Sequence, residues 1–405
     1  MLKHWIWLAT RKGVGTRGRA SLLRLFGTAE HVYALTKEQC KETKGFRERW
    51  LEPILDKDLA EAEQILVQCD NHGISVLTYA DEAYPTRLKN IADPPALLYY
   101  RGTLPRFDEE AVIAVVGTRS CSAYGLLHAK QFSKLIAASG GIVVSGGARG
   151  NDTMALRGAL DSAMPVVCVL GCGLDIAYPR ENKWLFREVE MHGCMISEYP
   201  PGTPPSAQNF PPRNRIMSGL SLGVLVIEAP KGSGALITAN QALEQGRDVY
   251  TIPGNIGTKQ CEGNNELLRD GAALVMDGWD LLSNYEHMFP DKLADGRSRN
   301  TLENIFTLRY NMRLPVYSPL LMHELDDKKS VDIPAKNTYI EKRELPANLQ
   351  EDEKMILALL TNEPTHVDEL VAASKLPSQK VTAALTMLQI KQLAEKCGAN
   401  YFVRK

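Results

Sequence analysis

The chain has 405 residues, 44% of them hydrophobic, and a formal net charge of −1. That length predicts two or three domains with real apolar cores. The near-neutral charge excludes a whole-molecule field that draws in phosphate, so any binding of nucleic acid has to come from local patches.

Trp5-Ile6-Trp7-Leu8-Ala9 is too short, and too soon interrupted by Arg11 and Lys12, to be a signal-peptide core. No apolar run approaches the ~20 residues needed to span a bilayer. The eight cysteines are scattered, without the Cys-x-x-Cys pairs that zinc and redox sites use. Only Cys168 and Cys172 lie close together, and they flank an apolar strand end where buried free thiols are expected. The chain reads as cytoplasmic, with no cofactor predicted.

Residues 1–72 read as helical. Leu22, Leu23, Leu25 and Phe26 form an apolar stripe after the turn Lys12-Gly13-Val14-Gly15-Thr16. Gly-Val-Gly between two helices fits both a plain interhelical turn and a helix-hairpin-helix, whose bare N–H groups meet a phosphate. Arg11, Arg17 and Arg19 surround it.

Residues 73–286 alternate β-rich runs with helical stretches, the pattern of a parallel sheet covered on both faces. Strands are expected at 111–116, 141–145, 166–170, 195–197, 223–227, 248–252 and 273–275. In such sheets ligands bind beyond the carboxyl ends of the strands. Glycine-rich loops follow several of them: Gly117 with Arg119, then Ser145-Gly146-Gly147, Gly171 with Gly173, and Lys231-Gly232-Ser233-Gly234. Glycines let a phosphate approach the backbone, and the helix starts behind them offer N–H donors. Tight turns alone explain any one such loop, but less easily all of them on one edge.

Phe210-Pro211-Pro212-Arg213-Asn214-Arg215 adds a ring, two guanidinium forks and an amide in six residues. Arg119, Arg213, Arg215 and Lys231 are the candidate phosphate contacts. Asn214 is the candidate hydrogen-bonding orienter, and Phe210 the candidate base stacker. Ser233 fits either a phosphate contact or a helix cap, while capping or packing suits Thr238 better. Arg149 reads as a surface charge, and Tyr178 with Pro179 as a turn.

Residues 287–349 lose the alternation, as in Asp326-Asp327-Lys328-Lys329-Ser330, and read as a linker. Residues 350–405 recover it. Three amphipathic helices and a short strand over 399–403 form the pattern of a winged helix-turn-helix, with Ser378 placed to cap the recognition helix. From 375 onward Lys375, Lys380, Lys391, Lys396, Arg404 and Lys405 stand against Glu395 alone, which suits a duplex backbone. Winged helices also dock proteins.

Seven ordered motifs run through the middle of the chain. They are Val115-Val116-Gly117-Thr118-Arg119-Ser120 with Tyr124-Gly125, Ser145 to Asp152, Val169 to Asp175 with Tyr178-Pro179, Ser197 to Gly202, Phe210 to Ser221, Gly232 to Ala239, and Ile252 to Asn255. In this order the region 75–285 closely resembles the DprA family, also called Smf, the DNA-processing proteins of bacterial natural transformation. The resemblance implies an α/β fold: an extended Rossmann-like parallel sheet domain, an N-terminal helical (SAM/helix-hairpin-helix-like) domain and a C-terminal winged-helix domain. It implies a protein that receives and protects incoming single-stranded DNA, helps load the recombinase RecA, and pairs as a homodimer through the sheet domain. Duplex DNA or protein contact through the winged helix is open. Where the family usually has Gly-Ile-Asp and then Ala-His, this chain has Gly150-Asn151-Asp152 and Ala155-Leu156. The missing His favours binding over catalysis.

Two enzymatic readings compete. A nucleoside-monophosphate phosphoribohydrolase of Rossmann-like fold uses Pro-Gly-Gly-x-Gly-Thr-x-x-Glu, but here Thr238 takes the place of the Glu, leaving Glu228 and Glu244 as nearby carboxylates. A nicotinamide oxidoreductase wants Gly-x-Gly-x-x-Gly after the first strand, which Gly117-Thr118-Arg119-Ser120-Cys121-Ser122 does not supply. A Walker A loop is missing too.

Overall fold

A computed structural model of the chain describes residues 1–162, 164–297, 349–360, 365–391, 393–396 and 401–404. The chain divides into two compact units, Met1–Leu320 and Leu321–Lys405.

The first unit is built on nine strands: β1 (Ser75–Thr78), β2 (Leu97–Gly102), β3 (Val112–Val116), β4 (Ile142–Ser145), β5 (Val166–Leu170), β6 (Gly193–Ser197), β7 (Gly223–Val226), β8 (Asp248–Thr251) and β9 (Ala273–Leu274). Their order is β1-β2-β6-β5-β4-β3-β7-β8-β9. From β6 to β9 every pairing is parallel, while β1 and β2 join antiparallel at one edge. The sequence explains the parallel part: Val-Ile-Ala-Val-Val in β3 and Val-Val-Cys-Val-Leu in β5 are apolar throughout and fully buried, as strands covered on both faces must be. The expected Rossmann-like class is therefore observed.

Chain order runs outward from β3 in both directions, and the switch falls between β3 and β7. That is where open α/β sheets open a crevice for ligands, outside the carboxyl ends of the strands.

Residues 1–72 are helical, as expected, with helices at Leu2–Thr10, Thr16–Phe26, Ala29–Ala34, Lys37–Glu42, Leu51–Leu55 and Ala60–Asn71. Trp5, Ile6, Trp7 and Leu8 are buried in one continuous apolar core with the sheet, so the core runs across residue 72. Two of the three arginines around Gly13 to Gly15 turn inward. Arg11 pairs with Asp56 at 2.8 Å, and Arg19 donates to the Arg11 carbonyl at 3.3 Å. Arg17 stays exposed.

The first residues of the expected linker belong to this unit. Phe289 and Leu293 join its core and Lys292 pairs with Glu110 at 3.2 Å. Residues 298–348, most of that linker, lie outside the described residues.

The second unit has helices Glu351–Leu359, Val367–Ser374 and Ser378–Ile390 over a small antiparallel sheet of β10 (Thr365–His366), β11 (Ala394–Lys396) and β12 (Tyr401–Arg404), in the order β10-β12-β11. This is the expected winged helix, with Ile356, Leu370, Val381, Leu385, Leu388 and Phe402 in its core. Ser378 is the first helical residue after Pro377 and makes no capping hydrogen bond, because proline's fixed φ already starts the turn. Among the described side chains, Lys380 lies 3.7 Å from Asp352 and Lys391 2.6 Å from Glu353, so part of the positive charge in this region is paired.

Candidate nucleic-acid interface

A cleft of about 350 Å³ opens at the carboxyl ends of β3, β4 and β7. The loop after β3 brings Gly117, Thr118 and Arg119, the loop after β4 brings Ala148, and the helix behind it brings Asp152. The helix Phe210–Leu220 brings Phe210, Arg213, Asn214 and Met217, and the loop after β7 brings Lys231, Gly232, Ser233 and Gly234. A smaller annex of about 70 Å³ adjoins it, lined by Gly146, Arg149, Tyr178 and Pro179 and sharing Arg119, Phe210 and Arg213.

The floor is charged. Arg213 is only 4% exposed and donates from Nη1 to the Val169 carbonyl at 2.5 Å, while its Nε has no partner among the described residues. A Cβ on Gly146 would sit 2.0 Å from that Nη1, so only glycine lets the guanidinium lie flat against the β4 loop. Asp152 faces the same space at 5% exposure, and it accepts from the Ala148 N–H at 3.3 Å. Burial pushes the Asp152 carboxyl above its usual range, and the positive charge of Arg213 opposes that rise. Burial likewise lowers Arg213 from the ordinary guanidinium value.

The rim is aromatic and basic. Arg119 is exposed, with its Cζ 4.7 Å from the centre of the Phe210 ring, and it has no ion-pair partner among the described residues. Tyr178 stacks on Phe210 with centroids 6.0 Å apart and planes 27° apart. Lys231 pairs with Glu266 at 2.7 Å on the exposed side. Behind the β7 loop starts the helix Gly234–Glu244, where Ser233 accepts from the Ala235 N–H at 3.3 Å as its cap. Thr238 donates to the Gly234 carbonyl within the same helix, and Asn214 donates to that carbonyl as well, both at 3.3 Å. Positive backbone dipole ends, one free guanidinium and two rings thus share one opening. Among the described residues no cluster of three or more His, Cys, Asp or Glu is placed to hold a metal ion.

The family model described as DNA recombination-mediator protein A matches residues 75–286, and the DprA winged helix domain matches 341–400. The chain belongs to the DprA/Smf family. It is 32% identical to Protein Smf of Synechocystis over 98% of both chains. It is 43% identical to the DNA processing protein DprA of Streptococcus pneumoniae over 51% of this chain and 72% of that one. The X-ray structure of the pneumococcal DprA is similar with a TM-score of 0.62 at 32% identity, over 70% of this chain and 98% of that one.

Within this DprA/Smf fold, three residues expected at the site are held elsewhere. Arg215 is 3% exposed and donates from Nη2 to both carboxylate oxygens of Glu198 at 2.8 Å, with Asp93 3.4 Å from its Nε. It ties the helix to the sheet and lines neither the cleft nor its annex. Ser145 is fully buried, and its hydroxyl donates to the Val115 carbonyl of β3 at 2.7 Å. Gly147 lines neither the cleft nor its annex: its carbonyl accepts from the Asn182 amide at 3.0 Å, and a Cβ there would meet Cys168 and Phe186 at 2.8 Å. Asp152 is the lining residue that the sequence reading left without a role. Its signal is its position at the first turn of the helix Asn151–Leu160, immediately after the β4 loop.

Proposed function

We propose that the cleft between the β3 and β7 loops binds single-stranded DNA without reading its sequence. The observation that carries this is the pairing of Arg119, exposed and free of an acidic partner among the described residues, with the Phe210 and Tyr178 rings at the mouth. Cations take the phosphates and rings take the bases, whatever their identity. The glycine loops and the start of the helix Gly234–Glu244 supply further donors for a phosphate.

Family membership supports the wider role: protection of incoming strands and loading of RecA in recombination, by a cytoplasmic protein that acts by binding. It also supports a homodimer paired through the sheet domain. The edge strand β9 suits that pairing, since Leu274 and Met276 are exposed apolar groups at a strand edge unpaired among the described residues. For the winged helix, the pairing of Lys380 and Lys391 with acids of their own unit favours a protein contact over duplex backbone.

The phosphoribohydrolase reading keeps one supporting observation, the buried Asp152 carboxyl inside the cleft. Its other carboxylate candidates have different work. Glu228 accepts from both the N–H and the hydroxyl of Ser122, and Glu244 ends the helix that starts at Gly234.

The test is a salt titration of binding to a poly-dT strand of about 35 nucleotides, against a duplex of equal length and with AMP turnover measured alongside. Strand-preferring, salt-sensitive binding without AMP cleavage is the expected result. AMP cleavage without strand binding would transfer the cleft to the hydrolase.

A further inference from the structure

The annex beside the cleft ends at Tyr178 and Pro179. From there the chain passes through a single 3₁₀ turn, Arg180–Asn182, into the helix Lys183–His192. Leu185, Phe186 and Val189 bury one face of that helix, which therefore needs nothing from its other face for packing. Within the helix Trp184, Arg187 and Met191 recur at spacings of three and four, so they form one stripe on the outward side, and exposed Arg180 lies on the turn that leads into it. Trp184 is 48% exposed, and the Arg157 guanidinium lies 5.2 Å from its ring centre.

The charges on this stretch are sorted. Glu181 is held by Arg149, Glu190 by Arg101 at 2.8 Å, and Glu188 lies 3.9 Å from His192. Arg180, Lys183 and Arg187 have no ion-pair partner among the described residues. An exposed indole with a guanidinium over it, flanked by unpaired cations, has the composition of a stacking platform for a nucleic-acid strand. In the chain it follows the cleft directly: the Tyr178 ring that stacks on Phe210 stands six residues before Trp184, across one 3₁₀ turn.

We propose that the Arg180–Met191 stripe is a second strand contact, in which a single-stranded nucleic acid leaving the cleft past Tyr178 stacks a base on Trp184 and sets its phosphates against Arg180, Lys183 and Arg187. The proposal rests on the cleft itself binding a single strand. It explains a tryptophan that the core does not use, and it lengthens the site beyond the nucleotides the cleft can hold.

The experiment compares two poly-dT strands, one of about 6 nucleotides and one of about 35, on wild type, Trp184→Ala, Trp184→Phe, Arg119→Ala and the triple variant Arg180→Ala, Lys183→Ala and Arg187→Ala. Thermal melting checks that each variant is folded. Trp184→Ala is expected to lose roughly five-fold or more on the long strand and less than two-fold on the short one, with Trp184→Phe restoring most of the loss. The triple variant should flatten the salt dependence of long-strand binding alone. Arg119→Ala should weaken both lengths. Wild-type binding of the long strand by both Trp184→Ala and the triple variant, with Arg119→Ala impaired, would overturn the second contact and leave the cleft standing. Equal loss on both lengths would overturn it too. Failure of wild type to bind either strand would remove the cleft reading and the stripe with it.

Discussion

Arg213 and Arg215 stand two positions apart on one helix and do opposite things. Two positions correspond to about 200° of rotation, so the two guanidinium groups cannot face the same space. Arg213 forms the cleft floor, and Arg215 closes a buried ion pair with Glu198. Arg215→Ala should therefore cost up to about 3 kcal/mol of stability, because it leaves the part-buried Glu198 carboxylate without its partner, while the folded fraction keeps the wild-type salt slope of strand binding. Denaturant unfolding and a salt titration separate the two effects. Asp152 carries a pH prediction. Its carboxyl is raised on folding by burial, so its contribution to stability is present below the unfolded value of about 4 and is lost as pH rises through the higher folded value. Asp152→Asn should flatten the stability profile over that window, and should tighten strand binding above it, where the carboxyl is ionised, by removing a negative charge from the cleft. Unfolding and binding measured across and above that range check both. Which residues gather at the cleft was partly legible in the sequence, as Arg119, Phe210 and Arg213 show. What was not legible was which side of a helix each occupies. Phe210 to Arg215 reads as one string of binding groups until helical rotation divides it.

Strands buried on both faces announce themselves as apolar runs, and β3 to β7 were legible for that reason. The two antiparallel strands were not. β1 has four residues, and β2 follows Pro94-Pro95 and ends in Tyr-Tyr-Arg-Gly, a mixture without the signature of a buried parallel strand. Ser145 shows the same limit at a strand end, where a motif serine satisfies a neighbouring strand's carbonyl instead of a ligand. Helix starts carry a further prediction. Ser122 caps the helix Ala123–Ala138 by accepting from the Gly125 N–H at 3.2 Å, and it also donates to the buried Glu228. Ser122→Ala should cost about 1 to 3 kcal/mol in unfolding experiments, since it removes a cap and leaves a carboxylate short of a donor. Strand affinity should be unchanged.

At the scale of the whole molecule the chain forms two compact units. The cleft lies entirely within the first, so a chain ending before residue 350 should fold and bind poly-dT with wild-type affinity and salt slope. Loss of binding on that truncation would place part of the site in the winged helix. If β9 pairs two copies, Leu274→Lys with Met276→Lys should convert a dimer to a monomer in sedimentation, because each buried charge at an apolar edge opposes association. A net charge of −1 gives no long-range attraction for DNA, so any affinity has to come from a few local contacts, each of which adds its own increment to the salt dependence.

That dependence allows the most direct measurement of the central claim: the slope of log affinity against log salt for poly-dT, in wild type and in Arg119→Ala. Each lost phosphate contact lowers the slope by about 0.7 for a single strand, and Arg119→Ala should show that drop together with weaker binding. An unchanged slope and affinity in Arg119→Ala would contradict the placing of the strand in the cleft between β3 and β7.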